Sequence, residues 1–246
     1  MLYSAHPLGY PEPVTRQEPD WDARIRGMFA RIARRYDLMN TLMSFGMDRR
    51  WRRRVVELAG VPAGGLMLDV GAGTGKIARE AARAYPGARI VAADFTPEMM
   101  TVGREGSPAN VVWVLADAMS LPFRDRTFDA VTSGFLVRNV RDMPGVLAEQ
   151  LRVLRPGGRV VCLDAGPPAL HTLEPVARFH LNHVIPRLGA LVTGDAQAYR
   201  YLPESTQAFV DAPRIARAME EAGFAFTQTE RYMFGTINVV HARRPD

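Results

Sequence analysis

The sequence predicts a doubly wound α/β fold built on a mostly parallel, seven-stranded sheet. Three observations support this prediction. Short apolar runs alternate with helix-length amphipathic segments from Leu66 onward, a glycine-rich turn follows the first run, and an aspartate ends or follows several of the runs. Because strand–helix–strand units are joined by right-handed crossovers, we expect parallel strands with helices on both faces of the sheet.

Each strand is predicted from an apolar run bounded by turn residues. The predicted strands are Leu66 to Val70, Arg89 to Asp94, Val111 to Leu115, Phe128 to Ser133 and Arg159 to Leu163, with two antiparallel strands around Phe224 to Tyr232 and Thr236 to Ala242. The helices between them are predicted from apolar residues at helical spacing. They are Gly75 to Ala84, Pro97 to Arg104, Met143 to Leu154 and Pro213 to Glu221.

The remaining segments are predicted to decorate one domain over residues 20–246. Residues 1–19 are rich in proline, and we expect a flexible tail there. Residues 20–60 predict a helical cap, with a second helix over Arg49 to Ala59. Residues 166–208 interrupt the alternation with a mixed apolar and basic stretch, and an insertion of that length is more often functional than incidental.

Composition limits the class of protein. The 246 residues are 47% hydrophobic and 23% charged, enough to bury a full core. The single cysteine, Cys162, excludes an internal disulfide, and we expect a small core residue and a cytoplasmic protein. No run of about 18 apolar residues predicts a membrane span. The net charge of +5 does not by itself indicate a nucleic-acid partner.

The segment Leu66 to Gly75 predicts a cofactor site. It is a buried strand running into a turn with Gly71, Gly73 and Gly75, where the absence of side chains lets a ligand approach the backbone. A dinucleotide site is disfavoured because Lys76 occupies the place of its last glycine. The spacing resembles the first motif of class I methyltransferases, a Rossmann-like family, and implies S-adenosylmethionine as cofactor.

Acidic residues after the first three strands complete the predicted site. Asp94 ends the second strand, where a carboxylate can accept both hydroxyls of a ribose. The resemblance implies that Asp117 accepts from the adenine amine and that Asp69 faces the methionine ammonium. It also implies that Thr74, Phe95, Ala118 and Ser133 contact the cofactor together with the glycines. No metal site is predicted.

A more particular resemblance comes from five stretches outside the glycine turn. From Ile25 to the C-terminus, the chain resembles the C-methyltransferases of ubiquinone and menaquinone biosynthesis. The stretches are Tyr36 to Arg54, Asp117 to Asp129, Arg138 to Val140, Leu154 to Gly158 and Pro186 to Ser205. The chain departs from the usual family pattern at Lys76, at Phe135-Leu136-Val137-Arg138 and at Leu163-Asp164-Ala165, all expected near the mouth of the site.

The resemblance implies methyl transfer to a ring carbon of a polyprenylated hydroquinol, with demethylmenaquinol as first choice and a ubiquinol precursor as second. Arg138 is the first candidate to stabilise a phenolate, with Asn139 hydrogen-bonding the same oxygen. The alternative for Arg138 is a buried salt bridge with an aspartate such as Asp142. The base remains open among several residues. They are His180, His183, Asp164, Tyr36 and Tyr201.

Lipid access is predicted from two features. The insertion is apolar enough to form a groove for the isoprenoid tail, or equally a lid over the core. Arg49 to Arg54 either lies on anionic headgroups with Trp51 at the interface or forms a solvated helix face. We expect peripheral contact with the inner face of the membrane at most, and no nucleic-acid partner. The oligomeric state, a homodimer included, is left open.

Two other functions compete with this hypothesis. One is a C- or O-methyltransferase of another aromatic or secondary-metabolite substrate, which would share everything up to Asp129 but not Pro186 to Ser205. The other is a non-catalytic or nucleic-acid-binding protein using the basic N-terminal helices. Such a protein would not need an aspartate at or just after the ends of three successive strands.

Overall fold

The computed structural model describes residues 20–167, 179, 183–193 and 212–246. The predicted tail over residues 1–19 and much of the predicted insertion therefore lie outside the described residues. So do the candidate bases His180 and Tyr201. The described part of the chain confirms the predicted fold class, because it forms a seven-stranded, mostly parallel sheet between helices.

The helices and strands follow the predicted order. The helices are α1 (Trp21–Met43), α2 (Asp48–Ala59), α3 (Lys76–Ala84), α4 (Pro97–Arg104), α5 (Met143–Val153), α6 (Ile185–Thr193) and α7 (Ala212–Glu221). The strands are β1 (Leu66–Val70), β2 (Arg89–Asp94), β3 (Val111–Leu115), β4 (Phe128–Gly134), β5 (Leu154–Ala165), β6 (Ala225–Tyr232) and β7 (Ile237–Arg243). A short 3-10 turn, Val137–Asn139, links β4 to α5.

The sheet order is β3-β2-β1-β4-β5-β7-β6. Strands β1 to β5 run parallel, and β7 pairs antiparallel with both β5 and β6. The chain reverses direction across the sheet between β3 and β4, so β1 and β4 are neighbours whose carboxyl ends open a crevice. In open α/β sheets, ligands bind at such a crevice.

Two apolar clusters hold the sheet between its helices. The side chains of β1 alternate between them: Met67 packs with α2 and α3 on one face, and Leu68 with α5 and α7 on the other. Burial on both faces explains why β1 is an almost continuous apolar run. Cys162 belongs to the second cluster and is buried, as predicted for a small core residue.

Strand β5 is longer than the sequence predicted. The prediction treated Pro156-Gly157-Gly158 as a turn and began the strand at Arg159, but the strand already begins at Leu154. Leu154 pairs with Phe128, and a bulge interrupts the ladder before Arg159. A bulge accommodates proline and glycine because the residues within it leave the regular hydrogen-bond pattern.

The helical cap covers the carboxyl edge of the sheet. Helix α1 packs against α6, the described part of the insertion, through a third apolar cluster that contains the buried Ile185 together with Leu188 and Val192. These three side chains therefore pack against α1, and the choice between a groove and a lid stays open. In α2, Trp51 is 2% exposed and packs against the sheet, which rules out the alternative that placed Trp51 at a membrane interface.

Candidate active site

A cleft opens at the carboxyl ends of β1, β2 and β4. Its floor includes Gly71 and Gly73 of the glycine turn and Asp94 at the end of β2. Helix α1 forms the opposite wall with Phe29 and Tyr36. The lining is apolar and aromatic with a few polar groups, the composition expected of a small-molecule site.

The glycine turn is shaped for close approach of a ligand. Gly71 and Gly73 have φ values of +65° and +56°, a region that other residues rarely adopt. A Cβ atom on Gly71 would lie 2.7 Å from Leu136 Cδ1. A side chain at Gly71 would therefore be strained and would displace Leu136, which also lines the cleft. This cradle fits a cofactor that lies along the backbone.

Asp94 organises the turn from below. Its Oδ2 accepts the Gly73 N–H at 2.7 Å and its Oδ1 accepts the Thr96 N–H at 2.8 Å. Burial raises the pKa of Asp94, while these backbone donors oppose the rise. Each carboxylate oxygen keeps a second lone pair, so Asp94 can hold the turn and still accept from the hydroxyls of a ribose.

Asp69 lies beneath the cleft and does not line it. Its side-chain oxygens accept from Thr132 Oγ1 at 2.9 Å and from the Ala78 N–H at 3.1 Å. Burial raises the pKa of Asp69 to about 7, with Thr132 and Ala78 lowering it in part. The carboxyl group ties β1 to β4 and to the first turn of α3, so its contacts in this structure are with the protein.

Asp69→Asn should flatten the pH dependence of stability. The carboxyl pKa is about 7 in the fold and about 4 when unfolded, so its contribution is present below pH 4 and lost as the pH rises through 7. We expect urea unfolding to show a decline of a few kcal/mol between pH 5 and pH 8 that is smaller in the variant. Asp142→Asn is the matched control, because Asp142 is exposed and caps α5, and asparagine caps equally well. An equal decline in Asp69→Asn and wild type would contradict this assignment.

A polar cluster joins the cap to the glycine turn. Thr74, which is 2% exposed, donates its hydroxyl to Asp37 Oδ1 at 2.6 Å. Lys76 Nζ lies 3.4 Å from Asp37 Oδ2, and Arg79 lies 3.8 Å from the same oxygen. Lys76, which stands where the resembled family usually has an acid, thus faces an aspartate of α1. Thr74 contacts α1 and does not line the cleft.

The other predicted cofactor residues separate into two groups. Phe95, Asp117 and Ala118 line the cleft, and Asp117 also accepts the Met119 N–H at 2.9 Å. Ser133 is 0% exposed within β4, where it pairs with Cys162, and does not line the cleft. The structure thus brings Phe95, Asp117 and Ala118 together with Gly71, Gly73 and Asp94, and it places Ser133 behind them.

Arg138 forms a buried ion pair behind the cleft. Its guanidinium donates to Asp164, and its backbone N–H donates to the other carboxylate oxygen at 3.2 Å. The two side chains are 6% and 0% exposed. The predicted salt bridge is therefore present, but the partner is Asp164 and not Asp142, which instead accepts the Gly145 N–H as the cap of α5. Asp164 is thus the partner of Arg138 and not a residue of the cleft surface.

Asn139 lines the cleft next to Arg138. Its side-chain NH2 group donates to the Phe135 backbone carbonyl at 2.8 Å, and the backbone carbonyl of Asn139 accepts from Trp21 Nε1 at 3.0 Å. The first bond ties the 3-10 turn to the residue that follows β4, and the second ties it to the start of α1. Of the predicted catalytic residues, Asn139 and Tyr36 therefore face the cleft and Arg138 supports it.

Sequence reasoning missed several cleft residues. Arg141 and Asp22 line the cleft and form an ion pair across its mouth, and Leu136 covers Gly71. Arg141 directly follows the resembled stretch ending at Val140, which was the available signal. The candidate base His183 is exposed and lies outside the cleft lining.

The fold and the cleft define a class I methyltransferase that uses S-adenosylmethionine. The chain belongs to the ubiE/COQ5 methyltransferase family, whose profile matches residues 18–244. It is 44% identical over 216 residues to the ubiquinone/menaquinone biosynthesis C-methyltransferase of Desulfotalea psychrophila, covering 87% of this chain and 88% of that protein. It is 44% identical over 221 residues to the demethylmenaquinone methyltransferase of Thermus thermophilus, and the match covers 89% of this chain and 100% of that protein.

Solved structures support the fold independently. A possible histamine N-methyltransferase of Thermotoga maritima superposes with a TM-score of 0.63 at 17% identity, covering 89% of this chain and 99% of that one. The Haemonchus contortus phosphoethanolamine N-methyltransferase 2 in complex with S-adenosyl-L-methionine superposes with a TM-score of 0.60 at 17% identity. The match covers 80% of this chain and 53% of that one. At these identities the likeness concerns the fold alone.

Proposed function

We propose that this enzyme transfers a methyl group from S-adenosylmethionine to a ring carbon of a polyprenylated hydroquinol, with demethylmenaquinol as first choice. One observation carries the choice of substrate: 89% of this chain matches the whole length of the Thermus thermophilus demethylmenaquinone methyltransferase at 44% identity. The aromatic wall formed by Phe29, Tyr36 and Phe95 beside the glycine turn is consistent with a flat ring as substrate.

The cofactor supplies an electrophilic methyl group on a positively charged sulfur. A hydroquinol carbon becomes a strong nucleophile when a phenolic proton leaves and charge moves into the ring. The cleft has to align the ring and exclude water, which the apolar side chains of Ile25, Phe29 and Phe95 do. We assign the task of holding the ring oxygen to the side chains of Tyr36 and Asn139, because both line the cleft and carry polar groups.

Arg138 is assigned a positioning role. Because its guanidinium and its backbone N–H both bind Asp164, it fixes the 3-10 turn that presents Asn139. Its charge is largely neutralised by the partner carboxylate. Among the described residues, the cation in the cleft lining is Arg141, which pairs with the half-exposed Asp22.

Tyr36→Phe should lower kcat by roughly tenfold or more while leaving affinity for S-adenosylhomocysteine within about twofold. The variant keeps the edge-to-face contact with Phe29, at 5.8 Å between ring centres, and removes only the hydroxyl. Steady-state kinetics and calorimetry measure the two quantities. Phe29→Leu, which changes the same wall without removing a polar group, is the comparison. An unchanged kcat in Tyr36→Phe would remove the hydroxyl from the reaction.

The substrate's tail has consequences for location. A long isoprenoid chain partitions into a bilayer, so we propose peripheral contact with the inner face of the membrane by a protein that otherwise works in the cytoplasm. Within the described residues, no helix is both long and apolar enough to cross a bilayer.

A panel assay tests the proposal. Purified enzyme, labelled S-adenosylmethionine and a set of substrates are incubated, and the label is followed into the lipid extract. The set contains reduced and oxidised demethylmenaquinone, a demethylated benzoquinol and a catechol. We expect labelling of demethylmenaquinol and little of its oxidised form, because only the quinol can form the phenolate. Preferential labelling of catechol would favour an enzyme acting on another aromatic substrate.

A further inference from the structure

Four large apolar side chains protrude where α1 meets α2. Phe45 is 73% exposed, Leu38 is 53% exposed, and Leu42 and Met47 are each 39% exposed. Leu38 and Leu42 are four residues apart and so lie on one face of α1, and Phe45 and Met47 follow in the connecting turn. We call these four residues the apolar tip. Adjacent exposed apolar residues of this size commonly mark an interaction site.

The apolar tip is held by a rigid turn. The Phe45 and Gly46 N–H groups bind the carbonyls of Leu42 and Thr41 at 3.2 and 2.8 Å. The turn holds Phe45 at φ +51°, a conformation that a bulky residue rarely adopts. Strain of this kind persists where the surrounding structure enforces it and is frequent at functional sites. The turn therefore fixes the backbone of Phe45, whose side chain is 73% exposed.

The surface around the apolar tip is strongly basic. Helices α1 and α2 together contain ten arginines and four acidic residues, whereas the whole chain has a net charge of only +5. All four acidic residues are paired within the protein: Asp37 with Thr74 and Lys76, Asp48 with Arg52, Asp22 with Arg141 and Glu57 with Arg54. The outward-facing charge of the two helices is therefore positive.

Exposed arginines lie on both sides of the apolar tip. Arg31, Arg34 and Arg35 precede it on α1, and Arg49, Arg50 and Arg53 follow it on α2. Arg53 lies 3.6 Å from Glu80 and is 70% exposed. An apolar centre with a basic rim matches the interfacial region of an anionic bilayer, where side chains enter the acyl boundary and arginines meet the headgroups.

We propose that the apolar tip and its flanking arginines dock this enzyme onto a bilayer containing anionic phospholipid. A nucleic acid would use the arginines but would leave the apolar tip in water, so the bilayer accounts for both features. The same helix α1 carries Tyr36 in the cleft wall and Leu38 at the tip, which brings the cleft close to the bilayer surface. This inference locates the membrane contact of the proposed function, and it stands on the surface itself and not on the identity of the quinol.

Vesicle co-sedimentation of the full-length enzyme tests the inference. The vesicles contain phosphatidylcholine alone or with phosphatidylglycerol, and no substrate is present. We expect wild type to bind the anionic vesicles, and Leu42→Glu/Phe45→Glu to reduce the partition coefficient by roughly tenfold or more. Arg49→Glu/Arg50→Glu should reduce it similarly. Phe226→Glu is the matched control, since Phe226 is 79% exposed on the edge strand β6, and it should bind as wild type.

Three results would overturn the inference. They are no binding of wild type to anionic vesicles, wild-type binding by the Leu42→Glu/Phe45→Glu variant, and an equal loss in Phe226→Glu. Turnover of a short-tailed, water-soluble quinol without vesicles separates this inference from the proposed function. The tip variants should keep that activity, whereas vesicle binding without turnover of any quinol would contradict only the proposed function.

Discussion

Asp94→Ala is expected to weaken binding of S-adenosylhomocysteine by roughly 10- to 150-fold, the equivalent of about 1.5–3 kcal/mol for hydrogen bonds to a charged group. The carboxylate is 6% exposed, lines the cleft and accepts the Gly73 N–H. Its loss removes the acceptor for the ribose and also loosens the turn that forms the cradle. Isothermal calorimetry measures the affinity directly.

Asp129→Ala is a matched control for that experiment. Asp129 also accepts a backbone N–H, that of Leu66 at 2.8 Å, but at the opposite end of β1. We expect a similar cost in stability and an affinity close to wild type. Equal affinities in Asp94→Ala and wild type would show that Asp94 supports the turn without contacting the cofactor.

Arg138→Ala is expected to lower the free energy of unfolding by about 3–5 kcal/mol. The change leaves the carboxylate of Asp164, whose side chain is 0% exposed, without its charged partner. A loss of activity in this variant alone would therefore not identify a catalytic residue. Urea unfolding measures the stability, and it should be reported beside the kinetics.

The double variant Arg138→Leu/Asp164→Leu separates support from chemistry. Removing both charges replaces a buried ion pair by apolar side chains, so stability should recover by several kcal/mol relative to Arg138→Ala. If Arg138 only positions Asn139, the double variant should regain part of its activity together with its stability. A stable double variant with affinity for S-adenosylhomocysteine but no turnover would instead place the guanidinium in the reaction.

Local signals explain what the sequence could predict. The strand and helix order followed from periodicity, and the cradle followed from Gly71 and Gly73, because both depend on neighbouring residues. Asp94 could be placed in the cleft because parallel strands bring their carboxyl ends to one edge. Strand β5 was underestimated because a bulge containing Pro156 looks like a turn in the sequence.

Long-range contacts account for most of what the sequence could not predict. Arg138 and Asp164 are 26 residues apart, and the sequence offered the nearer Asp142 as a partner. The ion pair between Arg141 and Asp22 spans 119 residues and depends on how α1 closes over the sheet. Burial of Trp51 likewise depends on which face of α2 meets the sheet, and a helix with seven consecutive charged or aromatic residues leaves that face undecided.

The cap also gives Lys76 a physical context. A lysine at the first turn of α3 is unfavourable for the helix dipole, whose amino-terminal end is positive. Asp37 from α1 lies between Lys76 and Thr74 and offsets that charge. At 35% and 26% exposure of the two side chains, the ion pair adds little stability, so its main consequence is the join between cap and turn.

The most direct test of the function is to locate the transferred methyl group on the product. Enzyme, demethylmenaquinol and S-adenosylmethionine labelled with carbon-13 in the methyl group are incubated, and the product is analysed by NMR and mass spectrometry. We expect one labelled methyl bonded to a ring carbon of the quinone. A label on oxygen, or no transfer by enzyme that binds S-adenosylhomocysteine normally, would contradict the assignment of this chain as a quinol C-methyltransferase.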